Sequence, residues 1–362
     1  MEYTEFVDRE ILKPLGMEHS KYPLDYFSQG SYALTYKENK VQTQEFLGPL
    51  GSGGLYSTPS DLTRFAAMLL GKGSFQGKRV LSPQAVEAMG EDQTKGKFNP
   101  IQENFFRFGL GWDSINQPGM ATLGLKAWEK GGDTYSYGAM LIVLPDEGLS
   151  AAVTGASGVN SDTASAIAER ILARALVEKG RLDAMPGQAA PTELPTAALP
   201  AELAESIPGV YVSFSDVMKF DIDAQGILSM YAHRSGSWVK AFEGLSYRSD
   251  GWFVSSVEGI PPLLFSFIRS DGRAYVAMRM PSTNGWHRNT MIFAQKLEKA
   301  KPLSSAWQSR IGKTWLPINF SSADAYLSPN TDPRFKLLAV DGAEGYIFSS
   351  STDGLSTTLP KE

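Results

Sequence analysis

Residues 128–155 read WEKGGDTYSYGAMLIVLPDEGLSAAVTG, and this stretch carries the clearest structural signal in the chain. From Tyr137 onward it contains the apolar run AMLIVL, then PDEG at residues 145–148, and then a second apolar run, LSAAVTG. Short apolar runs on both sides of a turn with proline and glycine are typical of an antiparallel hairpin. The sequence therefore predicts two largely buried, paired strands here.

A helix is predicted immediately after this hairpin, over residues 161–179. Its apolar side chains recur every three to four positions, which is the period of a helix face. These positions are Ile167, Ile171, Leu172 and Leu176. Ser161 or Asp162 is predicted to cap the helix, and Gly180 to end it.

Two shorter helices are predicted upstream by the same signals. Thr58 can cap a helix, Pro59 suits the first helical position, and an apolar stripe continues to Leu70. Ser82 and Pro83 repeat this arrangement. The apolar positions are Leu62, Phe65, Ala66, Leu69 and Leu70 in the first helix, and Val86 and Met89 in the second.

The second half of the chain has a different character. Residues 183–200, DAMPGQAAPTELPTAALP, contain four prolines and no apolar period, so we predict a linker over residues 181–200. Beyond it, short apolar runs are separated by turns. The turns are Asp-Gly pairs at 250–251, 271–272, 341–342 and 353–354. We expect an antiparallel meander or small barrel over 201–298, and a further β unit, complete or incomplete, over 299–362.

Bulk composition narrows the possible partners. With 362 residues the chain exceeds the usual size of one core, and its net charge of −5 gives no positive field to attract nucleic acid. No apolar run approaches the roughly 18 residues of a membrane-spanning helix, so no transmembrane segment is expected. The chain has no cysteine, which leaves the compartment open. A periplasmic or extracellular location is expected if a longer native chain carries a signal peptide.

Four sequence blocks, in order, resemble the serine β-lactamase and penicillin-binding protein family, especially its class C-type branch of D-alanyl-D-alanine peptidases and esterases. The blocks are FVDREILKPLGMEHS (6–20), GSGGLYSTPSDLTRFAAMLL (51–70), FRFGLGWD (106–113) and the stretch 128–155. The resemblance implies that residues 1–180 form the C-terminal part of that hydrolase domain. The second half is similar, more loosely, to the lipocalin-like β domains that follow it in some members.

The implied fold class is α+β with several domains. In the family, an antiparallel sheet is sandwiched between helices, so the first half is expected to be a partial β-lactamase-like α/β sandwich. A mostly antiparallel, lipocalin-like barrel region is expected to follow it.

The resemblance also implies candidate catalytic residues. Lys130-Gly131-Gly132 matches the family's third motif, in which a lysine or histidine and a glycine lie on a strand beside the pocket. That strand supplies positive charge and a backbone N–H for the oxyanion. Catalytic roles are therefore implied for Lys130, Gly132 and Asp133, with the N–H of Asp133 as one oxyanion donor.

The family's nucleophile motif, Ser-x-x-Lys, and its Tyr-x-Asn motif are not found at matching positions. In the family both precede the block that begins this chain, so we expect that the recorded sequence begins internally. One Ser-x-x-Lys does occur, from Ser237 to Lys240. It is predicted to lie on a strand, which would direct the two side chains to opposite faces, and we interpret it as chance.

Other motifs favour structural roles. The glycines at 51, 53 and 54 precede a helix, but no Gly-Lys-Ser/Thr follows them, so a phosphate-binding loop is not predicted. His19, His233 and His287 lack metal-ligand spacing and are interpreted as structural or surface residues. Neither a cofactor nor a metal ion is expected. Aromatic residues of the β region could line a ligand cavity, although core packing is favoured. They are Trp238, Tyr247, Trp252, Phe253, Phe265 and Phe267.

These observations leave two functional hypotheses open, and complementation of this chain by a separate N-terminal fragment is a third possibility. The first is a serine hydrolase that cleaves an amide or ester through an acyl-enzyme, with a small-molecule or peptide substrate that has a carbonyl centre. The second is a non-catalytic protein that binds a peptide or other ligand through the remnant cleft or the β domain. In both cases we expect an unpaired sheet edge to make the isolated chain unstable or self-associating.

Overall fold

The computed structural model describes most of the chain. The described residues are 1–28, 30–47, 50–95, 101, 104–189, 194–213, 216–254, 263–316, 318, 334–351 and 356–359. They form two compact units. The first consists of Met1–Asn99, Phe105–Ala189 and Ser282–Arg288, and the second of Pro100–Asn104, Ala190–Pro281 and Asn289–Glu362.

The first unit is a mixture of helices and short strands. Its helical elements are α1 (Tyr3–Val7), a π-helical segment (Asp8–Leu12), α2 (Lys13–Leu15), α3 (Pro59–Leu70), α4 (Pro83–Met89), α5 (Pro118–Ala121) and α6 (Ser161–Glu178). Its strands are β1 (Tyr36–Lys37), β2 (Lys40–Val41), β3 (Ser74–Phe75), β4 (Lys78–Arg79), β5 (Trp128–Asp133), β6 (Tyr137–Leu144) and β7 (Leu149–Ala156). The strands β5, β6 and β7 form an antiparallel sheet in that order, and the predicted hairpin is β6–β7.

The central strand β6 is buried on both faces of this sheet. Leu141 and Val143 pack into a cluster with residues of α3. Met140, Ile142 and Leu144 point to the other face and pack against α6. Successive side chains of a strand alternate between faces, so one strand contributes to two separate hydrophobic clusters. The predicted sandwich of an antiparallel sheet between helices is confirmed.

The predicted helix starts of α3 and α4 are confirmed by their capping bonds. The side chain of Thr58 accepts a hydrogen bond from the Asp61 N–H at 3.2 Å, and the side chain of Ser82 accepts one from the Ala85 N–H at 3.0 Å. Each bond satisfies a backbone donor that has no partner within the helix.

The details predicted for α6 are partly wrong. Asn160, not Ser161 or Asp162, is the cap, and its side chain accepts a hydrogen bond from Thr163 N–H at 2.9 Å. Ile167 and Ile171 are exposed rather than inward-facing. The buried face is formed largely by small residues together with the predicted Leu172 and Leu176, because alanines allow α6 to lie close to the sheet. The small residues are Ala164, Ala168 and Ala173.

The second unit is mostly β-structure. Its helices are α7 (Ala201–Ser206) and α8 (Ser305–Gln308). Its strands are β8 (Gly209–Val212), β9 (Val217–Ile222), β10 (Leu228–Arg234), β11 (Ser237–Tyr247), β12 (Phe253–Val254), β13 (Leu264–Ser270), β14 (Arg273–Pro281), β15 (Arg288–Lys296), β16 (Thr314–Trp315), β17 (Phe335–Leu338), β18 (Ile347–Ser351) and β19 (Ser356–Leu359).

The strands β8–β15 close into an eight-stranded antiparallel barrel, in the order expected of an up-and-down barrel, and β8 pairs with β15. The predicted antiparallel barrel is confirmed. The Asp-Gly turn at 271–272 has positive φ at both residues, which matches the right-handed twist of a hairpin. The strands β16–β19 form a separate antiparallel sheet. The predicted turn at 353–354 and residues 190–193 of the predicted linker lie outside the described residues.

The barrel interior is filled by aromatic and aliphatic side chains. Phe253 and Phe265 are buried there, and the ring of Phe267 makes edge contacts with Tyr211, Phe220 and Phe253. Trp252 instead belongs to a different cluster, with Leu264 and Ala277 of the adjoining strands. The aromatic residues of this region therefore do not all face one interior, and those that do pack on one another.

Candidate active site

The three candidate residues Lys130, Gly132 and Asp133 lie together on β5, which is an outer strand of the sheet in the first unit. On its inner side β5 pairs with β6, with Lys130 opposite Leu141 and Gly132 opposite Ala139. The other side of the strand is its outer edge. A substrate strand or carbonyl group that approaches this sheet can reach backbone groups only along such an edge.

Asp113 occupies part of the outer edge of β5. Its carboxylate oxygen Oδ2 accepts a hydrogen bond from the Gly131 N–H at 2.8 Å and lies 3.1 Å from the Lys130 ammonium. The Asp113 N–H donates to the Glu129 carbonyl at 3.0 Å, and the Lys130 ammonium donates to the Gly131 carbonyl. The edge at residues 129–131 is therefore closed by this chain's own groups.

Backbone alternation directs the N–H of Asp133 outward. The N–H groups of Glu129 and Gly131 point away from β6, to the Ser114 carbonyl and the Asp113 carboxylate respectively. The Thr134 N–H points the other way and donates to the Tyr137 carbonyl at 2.9 Å. Because N–H groups alternate along a strand, that of Asp133 also points away from β6. The backbone N–H of Asp133 therefore lies on the outer edge of β5, and its role as an oxyanion donor stays a prediction.

The glycines of the motif differ in their surroundings. A Cβ atom added at Gly132 would meet nothing within 4 Å, so the strand is open to approach at this residue. A Cβ atom at Gly131 would lie 3.2 Å from the Ser161 side chain and 3.3 Å from that of Met140. A side chain at Gly131 would therefore be crowded by these two neighbours, whereas Gly132 leaves room on the surface beside Lys130.

The Asp133 side chain has a structural role at the start of α6. Its carboxylate accepts a hydrogen bond from the Ser161 N–H at 2.7 Å and a second from the Ser161 hydroxyl. A carboxylate is stabilising at a helix N-terminus, where backbone donors lack helical partners. Asp133 therefore fixes the end of β5 against α6 through its side chain while its backbone N–H stays on the free edge.

Two tyrosines hold the loop that precedes α3 against the beginning of β6. The Tyr137 hydroxyl donates to the Ala33 carbonyl at 2.6 Å, and the Tyr56 hydroxyl donates to the Glu45 carbonyl at 3.0 Å. The two rings meet edge to face with centroids 5.5 Å apart. Burial raises the pKa of both phenols, so both remain protonated donors and fix the loop rather than relay protons.

Glu129, the residue before Lys130, is buried, and its pKa is strongly shifted. Burial, followed by the charges of Glu169 and Asp113, raises the pKa of Glu129 to about 8. Neither Glu129 nor Asp113 was singled out from the sequence. Asp113 ends the block FRFGLGWD and could have been noticed as a carboxylate before the Lys130 strand, but nothing in the sequence shows the burial of Glu129.

The other sequence candidates do not join this site. Ser237 and Lys240 lie on β11, so the predicted strand is confirmed, and Lys240 pairs with the exposed carboxylate of Glu243 at 2.8 Å. Within the described residues, no group of three or more His, Asp or Glu side chains is arranged to hold a metal ion. The helices in the described part of the chain include none that is long and apolar enough to cross a membrane.

Comparison with known proteins agrees with this architecture. The sequence model of the beta-lactamase family, described simply as Beta-lactamase, matches residues 1–176. Residues 1–176 belong to the beta-lactamase family. The strand β5 lies within these matched residues, as do the four sequence blocks.

Two curated proteins are similar to part of this chain. They are the uncharacterized protein MT1414 and the protein Rv1367c, from two strains of Mycobacterium tuberculosis, and each is 33% identical to this chain over 100 residues. Each match spans 25% of this chain and 25% of the relative, so the chain matches about a quarter of the length of these relatives.

Two crystal structures of SurE are similar in fold, one of them with D-Leu. Their sequence identities to this chain are 23% for the structure with D-Leu and 22% for the other, and both have a TM-score of 0.51. Each alignment covers 82% of this chain and 63% of the SurE chain. At this identity the likeness concerns the fold alone.

Proposed function

We propose that the first unit is the carbonyl-binding part of a serine hydrolase that acts on an amide or ester through an acyl-enzyme. The observation that carries this proposal is the outward N–H of Asp133 at the free end of the β5 edge. Asp133 lies three positions after Lys130 on the same strand. Attack on a carbonyl places negative charge on its oxygen, and a preorganised N–H stabilises that charge.

Three residues of this edge would bind the substrate and stabilise the developing negative charge. The Asp133 N–H donates to the developing oxyanion, and Gly132 lets the substrate come close to the strand because no side chain occupies that space. Lys130 supplies positive charge, which its ion pair with Asp113 holds beside the edge. The attacking serine is not assigned to a residue of this chain, and we propose that a segment outside these 362 residues supplies it.

Covalent labelling tests this proposal. The chain is produced with the residues encoded in frame upstream of Met1, treated with a fluorophosphonate or a penicillin probe, and analysed by intact-mass spectrometry. We expect one probe mass on the longer chain and none on the 362-residue chain. A stop codon directly before Met1, or ligand binding without any mass increase in the longer chain, would favour a non-catalytic binding protein instead.

A second experiment tests the backbone donor itself. Asp133→Pro removes the N–H, and an outward-facing position on an edge strand is one that proline tolerates. Asp133→Ala is the matched control, because it removes the same carboxylate and keeps the N–H. Both variants are made in the labelling-competent form, that is, the longer chain that takes up the probe. We expect the probe to acylate Asp133→Pro roughly 100-fold more slowly than Asp133→Ala, the usual cost of one lost oxyanion donor. Equal rates in the two variants, with both folded by circular dichroism, would remove Asp133 from the proposed mechanism.

A further inference from the structure

A buried polar network lies behind β5, on the side of the sheet covered by α6. Its members are Gln117, Glu129, Glu169, Asn284 and His287. All of them are at least 95% buried and belong to the first unit, although Asn284 and His287 come from a segment more than 100 residues further along the chain. We refer to this set as the Glu169 network.

Glu169 on α6 is the centre of the network. Its carboxylate accepts hydrogen bonds from the Gln117 side-chain amide, from the Asn284 amide at 2.6 Å and from Nε2 of His287 at 3.1 Å. Three polar side chains thus converge on this one buried carboxyl group. A Cβ atom at Gly119 would lie 2.6 Å from the same carboxylate, so a glycine is required there.

The segment Ser282–Arg288 is built to hold two of these donors in place. The Ser282 N–H donates to the His287 carbonyl at 2.9 Å, and the Asn284 side chain is fixed by donating to the Ala166 carbonyl at 2.9 Å. Arg170 donates to the Asn284 side-chain oxygen at 2.7 Å. The Trp286 ring packs into the hydrophobic cluster beneath α6. The Asn284 side chain is therefore oriented by contacts of its own, and the backbone of His287 is held by Ser282.

Gln117 connects Glu169 to the site strand. Besides donating to Glu169, its side chain hydrogen-bonds the Glu129 carboxyl, and its backbone N–H donates to the Ala127 carbonyl at 3.1 Å. Glu129 is the neighbour of Lys130 on β5, and its side-chain oxygen Oε2 is buried without a hydrogen-bonding partner among the described residues. A protonated carboxyl is the less costly form for such a group.

The charges around Glu129 are mostly negative. The groups that face it from the surrounding elements are Asp113 before β5, Gln117 before α5, and Asp162 and Glu169 on α6. His287 and Arg170 join them indirectly, through hydrogen bonds to Glu169 and Asn284 respectively. Burial and the neighbouring carboxylates all raise its pKa, while Gln117 lowers it. Ionised Glu129 would repel Asp113, whose carboxylate holds both Lys130 and the Gly131 N–H.

We propose that Glu169, held by Asn284 and His287, is a positioning residue that keeps Glu129 protonated while the Lys130 edge of β5 is closed on Asp113, so that opening of this edge is coupled to release of the Glu129 proton. Loss of the Glu129 proton adds a repelling charge behind the edge, and β5 then opens more readily. The relevance of this to catalysis rests on the proposed function, whereas the coupling itself does not.

Amide hydrogen exchange of residues 128–133 tests the coupling without any activity assay. Exchange is measured between pH 5 and 9 and corrected for the intrinsic rate. If opening hydrates Glu129, wild-type protection falls by up to about tenfold per pH unit, since one proton is released on opening. It should level off near the pKa of Glu129, about 8. Glu129→Gln should abolish this dependence.

Two further variants assign the effect to the network. Glu169→Gln removes the largest repelling charge, so Glu129 ionises more easily. The plot of exchange protection against pH should then level off at lower pH than in the wild type. His287→Leu should shift it in the same direction because Glu169 loses a donor, and His287→Gln, which keeps an N–H donor, should restore the wild-type curve. Glu147→Gln is the control, because Glu147 is a carboxylate paired with Arg181 at the surface. The proposal is overturned if Glu129→Gln retains the wild-type pH dependence, or if Glu169→Gln leaves the levelling point unchanged.

The labelling-competent form provides a separate arm. In that longer chain, the pH at which the acylation rate changes should be lower in Glu169→Gln than in the wild type. If exchange behaves as expected and no labelling occurs, the proposed function fails and the positioning role stands. If labelling occurs and exchange is independent of Glu129, the positioning role fails and the proposed function stands.

Discussion

Lys130 and Glu129 are adjacent on β5 and have opposite environments. The Lys130 ammonium is half-exposed and lies on the outer edge beside Asp113, whereas Glu129 is buried against α6. Alternation along the strand sends the two side chains to opposite faces. One strand thus presents a positive charge to the surface and a protonated carboxyl to the interior.

The first prediction at this scale concerns the Asp133 side chain. Asp133→Ala should lower the free energy of unfolding of the first unit by about 1 kcal/mol, a typical cost of losing a side-chain acceptor at a helix start. The Ser161 N–H then loses the acceptor that lies 2.7 Å away. Urea denaturation followed by circular dichroism measures the change. Asp133→Asn keeps an acceptor oxygen and should lose less than half as much; an equal loss in both variants would contradict a hydrogen-bonding role.

A second residue-scale prediction concerns the close approach at Gly119. Gly119→Ala should destabilise the first unit by about 1–3 kcal/mol, the usual cost of overpacking. Its methyl group would lie 2.6 Å from the buried Glu169 carboxylate, which its three donors hold in place. Thermal unfolding measures the effect. Gly51→Ala is the control, because a methyl group there meets nothing within 4 Å, and a similar loss in both variants would refute the packing argument.

At the scale of elements, the sequence correctly predicted the features that depend on residues close together along the chain. Thr58 and Ser82 form the expected caps because each bond spans only three residues. The buried face of α6 was predicted incorrectly, since Ile167 is more hydrophobic than Ala168 and only the packing distance to the sheet favours alanine. The Glu169 network could not be predicted, because Glu169 and His287, which hydrogen-bond to each other, are 118 residues apart and no local pattern links them.

The outer strand β7 gives the prediction at this scale. Among the described residues it pairs only with β6, which leaves its other edge available to a second chain. We expect concentration-dependent self-association, and Thr154→Lys, at an exposed position of β7, should weaken it at least several-fold. Sedimentation velocity at increasing concentration measures this. Thr43→Lys adds the same charge at an exposed loop position and should not weaken association. A monomer at all concentrations would show the expectation to be wrong.

At the scale of the whole molecule, the chain has two compact units with separate cores. Chains of this kind are not expected to unfold in a single two-state transition. The buried carboxyl of Glu129 belongs to the first unit alone. The pH dependence that it causes should therefore appear in one calorimetric transition and not in the other.

The sign of that dependence follows from the two states of Glu129. Its pKa is raised from 4.5 to about 8 in the folded protein, so the folded state binds the proton more tightly than the unfolded chain does. Its stabilising contribution is complete below about pH 4.5 and is lost as the pH rises to about 8, at up to about 1.4 kcal/mol per pH unit. Scanning calorimetry between pH 5 and 9 should show one transition falling in temperature up to about pH 8 and then levelling off. Glu129→Gln should flatten this fall and leave the other transition unchanged, whereas Glu147→Gln should retain it. A fall that persists in Glu129→Gln would assign the pH dependence to other groups, because the amide has no proton to lose in this range.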